Sequence, residues 1–167
     1  MIIVATFCVA LLVATTLIHY EVLRALTLSL PVLTIPPRSK LIAVIFGAFF
    51  AHTAEIILYA LTTYVLVRYL GLGKLGEIRH LSMSAAMYFS AETYTSLGYG
   101  DVIPSGDLRM LAGAEALNGL LLIGWSASYT YIAMERFWSG DEGEAAKVRR
   151  APGAHRRTRR HPDVFRR

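Results

Sequence analysis

The sequence predicts an all-α membrane protein with three spanning helices and a short re-entrant helix that runs into a glycine-rich loop. Three observations carry that prediction. The 167 residues are 54% hydrophobic and only 17% charged, less charge than a soluble domain of this length carries. Three apolar runs, Met1–Ile18 with its continuation, Leu41–Leu70 and Met110–Met134, reach the roughly 20 residues that a helix needs to cross a bilayer. Between the second and third lies Ser82–Thr95, moderately apolar and aromatic but too short to cross, and followed at once by a Gly-rich turn.

Taken in order, Met1–Ile18 contains no charge, and Thr6, Thr15 and Thr16 are its hydroxyls. It lacks both the basic n-region and a small-x-small cleavage site, so it is expected to remain as a membrane helix rather than to be removed as a signal peptide. Glu21 and Arg24 share a face at i, i+3, which extends the helix past His19. His19 and Tyr20 then read as an interfacial anchor. Pro31 and Pro36-Pro37 end this first unit, residues 1–30.

Arg38-Ser39-Lys40 is a basic step before the second helix, expected over 41–70 and about 45 Å long. His52 and Glu55 fall near its middle on one face. Gly71, Gly73 and Gly76 break the run, and Lys74, Glu77 and Arg79 mark a wet loop. A short helix follows at 82–95, the loop at 96–101, and a third spanning helix at 108–138, in which Glu115 and Asn118 are the strongly polar members of the apolar run. Beyond Trp138 little remains to bury, so residues 139–167 read as a basic, disordered tail.

The net charge of +5 is unevenly placed. Arg136–Arg167 contributes +6 and the preceding part −1, so the basicity belongs to the tail and not to a folded nucleic-acid face. Cys8 is the single cysteine, which excludes an intrachain disulfide and a cysteine metal cluster; a packed thiol is expected. No nucleophile–base constellation points to an enzyme, and no resident cofactor is expected.

The chemistry is concentrated in Thr95-Ser96-Leu97-Gly98-Tyr99-Gly100-Asp101. Non-helical backbone at membrane depth is tolerated only where protein buries it or where it lines water. Consecutive carbonyls can strip water from a cation if the backbone alternates between right- and left-handed conformations, and Gly98 and Gly100 make the left-handed steps sterically free. The Ser96 hydroxyl would add an oxygen, and the C-terminal dipole of the short helix favours a cation on the same axis.

Tyr88 through Asp101, with Pro104 beyond it, resembles the pore helix and selectivity filter of bacterial two-transmembrane potassium channels, and the resemblance spans roughly Leu41–Trp138. It implies a pore domain over 41–138, a homotetramer, and K⁺ as permeant ion coordinated by carbonyls of Ser96, Leu97, Gly98 and Tyr99 within a filter from Thr95 to Asp101. Ser96 stands where Thr is commoner and Leu97 where Val is usual. The resemblance further implies that Glu92 and Asp101 share a proton to brace the filter, since two close carboxyls do not both ionise freely. Aligning Arg109 with the start of the family's inner helix makes Gly119 the hinge candidate and Gly124 the second. Helical spacing along the same face gives Leu120, Ile123, Ala127 and Tyr131 as pore lining, with Tyr131 as gate.

His52, Glu55 and Glu115 are costly at bilayer depth unless they face protein. A satisfied interhelical hydrogen bond is the plainer reading for His52 and Glu55, a proton-sensing contact with the inner helix the sharper one. Glu115 reads as a brace to the short helix or a cation-attracting group. The resemblance carries no counterpart of the first helix, which is expected to pack outside the tetramer as a lipid-facing buttress. With the filter outside, the positive-inside rule puts Arg38, Lys40 and the tail in the cytoplasm of a bacterial inner membrane and Met1 outside, with anionic lipid as a partner for the tail. The rival readings are a less selective cation channel and a non-conducting subunit of a transporter assembly.

Overall fold

The computed structural model describes residues 1–76 and 81–150, with side chains described through Trp138. Four helices and one small β-ladder follow in the order α1 (Ile2–Ser29), α2 (Pro37–Arg68), β1 (Lys74–Leu75), α3 (Met83–Tyr94), β2 (Pro104–Ser105) and α4 (Leu108–Arg150). α1, α2 and the Leu108–Trp138 part of α4 are long and apolar enough to cross a membrane. α3, with 12 residues, is not. The architecture is the expected all-α membrane one.

α1 buries Val4, Cys8, Leu11, Thr15, His19 and Leu23. That spacing of three and four residues draws one stripe down the helix, while Ile2, Val9, Val13 and Leu17 stay exposed on the other face. α1 ends at Ser29, with Leu30 as its cap just before Pro31. The second helix starts earlier than the sequence suggests, because Pro37 occupies its first turn, where a missing N–H and a fixed φ are no burden.

Three contacts set the directions of the helices. The Met1 ammonium meets the Asp107 carboxylate just before α4. Thr27 and Tyr129 share a hydroxyl hydrogen bond of 2.9 Å, and the Lys40 ammonium lies 5.9 Å from the centre of the Phe137 ring. α1 and α4 therefore run parallel and α2 runs against both. α1 packs on α2 and on α4 alike. Its buried stripe thus reaches the third spanning helix as well as the second.

Leu75 pairs with Pro104 and Lys74 with Ser105, antiparallel, on either side of the α3 excursion. At the far end α4 continues through Arg150, twelve residues beyond Trp138 where the sequence suggests an end. Glu144-Ala145-Ala146-Lys147 consists of strong helix formers, and hydropathy does not register them. The rest of the basic tail lies outside the described residues.

Candidate functional site

Ser82 caps α3, its hydroxyl accepting the Ala85 N–H at 3.1 Å, and the helix stops at Tyr94. The chain then turns back on itself. The Ser96 amide donates to the Thr93 carbonyl at 3.0 Å, and the Leu97 and Gly98 amides donate to the Glu92 carbonyl at 2.9 and 3.3 Å. The Tyr99 amide donates to Glu92 Oε2 at 3.3 Å. Four successive N–H groups thus point toward the C-terminal turn of α3. A planar trans peptide sets its C=O opposite to its N–H, so the carbonyls of Thr95, Ser96, Leu97 and Gly98 face away from α3, all on one side.

The dihedral angles follow suit. Ser96, Gly98 and Gly100 have φ of +55°, +52° and +81°, every second residue of the loop. Gly98 and Gly100 meet this without penalty. Ser96 does not, and a left-handed residue with a Cβ costs about 1–2 kcal/mol, which the amide bonds around it must hold. The Thr95 hydroxyl turns inward to the Ala91 carbonyl at 2.8 Å. Thr95 through Asp101 is exposed in the single chain.

The two carboxyls expected to share a proton find different partners. Glu92 is buried and holds the Tyr99 amide, while Asp101 is exposed and accepts from the Tyr88 hydroxyl at 3.1 Å. The Tyr88 phenol is pushed up to about 12, first by desolvation and then by the bond to Asp101, so it stays a neutral donor. Tyr88 carries no mark in the sequence beyond its place one turn before Glu92.

Along α4, Leu120, Ile123, Ala127 and Tyr131 all lie on an exposed face of the single chain. The two glycines differ. A Cβ on Gly119 would come within 2.1 Å of the Tyr94 carbonyl oxygen, so α4 crosses the end of α3 there at a distance only glycine permits. A Cβ on Gly124 would meet nothing within 4 Å.

Behind this region the helices share a polar core. Glu55 on α2 accepts from His19 Nδ1 at 2.9 Å and from His52 Nδ1 at 3.2 Å, and also from the Tyr94 hydroxyl. The Tyr94 oxygen is in turn 2.9 Å from His52 Nδ1. His19 Nε2 reaches Ser126 Oγ on α4 at 3.1 Å. One turn away the Asn118 amide donates to Thr15 at 2.7 Å and to Tyr59 at 3.3 Å. His52 and Glu55 are thus hydrogen-bonded between helices, with α1 and α3 supplying the partners. His19 is corrected: it is fully buried, an interhelical pin and not an interfacial anchor. A histidine beside Tyr20 near the end of an apolar run looks interfacial in sequence, and only the packing of α1 against two helices gives both ring nitrogens a partner.

Glu115 is also fully buried, on α4 facing α3, and neither of its oxygens has a hydrogen-bond partner among the described residues. The Ser90 hydroxyl, its neighbour on α3, also has no partner at hydrogen-bond distance among the described residues.

Residues 40–136, more than half of the chain, match the family model described as ion channel. No curated protein and no solved structure matches the chain.

Proposed function

The chain belongs to the ion channel family, and from that premise we propose that it is a potassium-selective pore subunit acting as a homotetramer. The observation that carries the reading is the one-sided row of carbonyls from Thr95 to Gly98, produced by four amides tied back to α3 and by left-handed steps at alternate residues. A single row offers a cation one wall. Four copies about an axis offer rings of oxygens that replace a hydration shell, and the exposure of residues 95–101 in one chain leaves that side open to symmetry mates.

In this reading Ser96, Leu97, Gly98 and Tyr99 coordinate K⁺, Thr95 and the Ser96 hydroxyl line the inner end, and Gly100 and Asp101 form the outer mouth. The C-terminus of α3, with its partial negative charge, points to the inner end of the same row. Leu120, Ile123, Ala127 and Tyr131 line the path below, with Gly119 and Gly124 flanking the first two of them. The protein moves an ion and transforms no substrate, so transport replaces catalysis. Its place is a bacterial inner membrane, with the end of α4 and the basic residues after it in the cytoplasm against anionic lipid.

The test is reconstitution of the purified chain in liposomes and planar bilayers. Conduction with a reversal potential that follows the K⁺ gradient, and block by barium, are expected. A reversal potential that follows Na⁺ equally identifies a less selective cation pore. Absence of any flux from well-folded protein favours a non-conducting subunit.

A further inference from the structure

We propose that His19, His52 and Glu55 form a binding site for a divalent transition cation of the Zn²⁺ class, set between α1 and α2. The inference stands apart from potassium selectivity, because it rests on side chains that the carbonyl row does not use.

The ligand atoms are already gathered. His19, His52 and Glu55 each offer a donor atom, and these lie within 4.8 Å of one another. His19 Nδ1 is 2.9 Å and His52 Nδ1 is 3.2 Å from the two Glu55 oxygens. Ligands about 2.0–2.1 Å from a tetrahedral Zn²⁺ stand about 3.3 Å apart. The two His–Glu55 separations are already close to this, and donor separations of up to 4.8 Å would close through side-chain rotation. Two imidazoles and a carboxylate are a donor set suited to borderline cations, and the i, i+3 pairing of His52 with Glu55 puts two ligands on one face of α2. The fourth position falls to water or to the Tyr94 oxygen, which already touches both Glu55 and His52.

Proton accounting allows the exchange. With Nδ1–H facing Glu55, each neutral ring frees Nδ1 for the metal by moving its proton to Nε2, with no net gain or loss. In His19 the new Nε2–H then donates to Ser126 Oγ, which stands 3.1 Å away, and so fixes the ring as an outer partner does in metal sites.

A bound metal would join α1 to α2 beside Tyr94, the last residue of α3, and so next to the loop that begins at Thr95.

The experiment uses the full chain, stripped with chelator and titrated with Co²⁺ in detergent. One Co²⁺ per chain with the intense visible absorption of a four-coordinate site, displaced by Zn²⁺, is expected. Glu55→Gln and His52→Gln should abolish that absorption, and Ser126→Ala should weaken binding about tenfold. Helicity and oligomer size identify any variant that fails to fold. In that event X-ray absorption of the Zn²⁺-loaded parent decides, with two imidazoles and one carboxylate in the first shell expected. Absorption that survives in folded Glu55→Gln and His52→Gln overturns the proposal. A weak six-coordinate spectrum, or a first shell without two imidazoles, also overturns it.

Discussion

The Glu92 carboxylate accepts the amide of Tyr99, seven residues further on, at 3.3 Å, so a side chain of α3 grips the backbone of the loop from behind. Glu92 also supplies its main-chain carbonyl to Leu97 and Gly98, and one residue thus fixes three consecutive peptide groups.

This grip predicts the phenotype of Glu92→Ala. The carbonyls of Ser96 and Leu97 keep their main-chain anchors, so K⁺ over Na⁺ preference should persist. The Gly98–Tyr99 peptide loses its restraint, worth about 1.5–3 kcal/mol for a hydrogen bond to a charged group, so open lifetimes should change about tenfold or more. Single-channel recording checks it, and unchanged lifetimes would show that the carboxylate is idle.

Tyr88→Phe removes the donor that holds Asp101. The Tyr88 value is raised, so folding favours the protonated phenol; the bond is complete below the ordinary phenol range and is lost only as pH rises through about 12. The difference between Tyr88→Phe and the parent should therefore be constant from neutral to mildly alkaline pH, as measured by open probability against pH. A difference that varies within that range would point to another titrating group.

Gly119→Ala and Gly124→Ala should diverge. The first drives a Cβ into the Tyr94 carbonyl and forces α3 and α4 apart, at about 1–3 kcal/mol for an overpacked contact. The second has open space and should fold normally. Thermal unfolding of the assembled protein separates the two. If Gly124 is the bending point, Gly124→Ala lowers open probability with unaltered stability.

Asn118→Ala leaves Thr15 and Tyr59 without their amide donor and should destabilise the packing of α1 on α4 by about 1–2 kcal/mol, the scale of interhelical hydrogen bonds in membranes. Unfolding in detergent with increasing denaturant measures it. Thr15→Val in the Asn118→Ala background should add little, because the two residues share one bond.

Tyr131→Ala should leave a pore that leaks under closed conditions with selectivity intact. Tyr131 is exposed at the lower end of the α4 face, where four rings near an axis would exclude hydrated ions by bulk and dewetting. Flux from liposomes under closed-state conditions reads this out; closure as tight as the parent's moves the gate up to the carbonyl row.

Hydropathy made the order of the helices legible, and the Gly-Tyr-Gly run made the loop legible, because apolar length and left-handed backbone leave local marks. The alternation at Ser96, Gly98 and Gly100 is of that kind, although nothing marked Ser96 as left-handed. The polar core was half legible. His52 and Glu55 declared each other by their spacing, but their partners His19 and Tyr94, and Ser126 beyond His19, come from three other helices and no local pattern joins them. Tyr88 escaped for a related reason, since its bond to Asp101 bridges the whole loop. The end of α4 escaped because its last turns are helical by intrinsic propensity and polar by composition.

The pairing of Leu75 with Pro104 and of Lys74 with Ser105 brings the two ends of the loop excursion side by side. Gly73 allows this approach, since a Cβ there would sit 2.4 Å from the Ser105 carbonyl oxygen. A segment whose ends already touch can be cut out and seated between another pair of helices without stretching either junction. Residues 74–105 therefore have the geometry of an exchangeable cassette, in which the sequence between the ends can diversify while the spanning helices around it stay as they are.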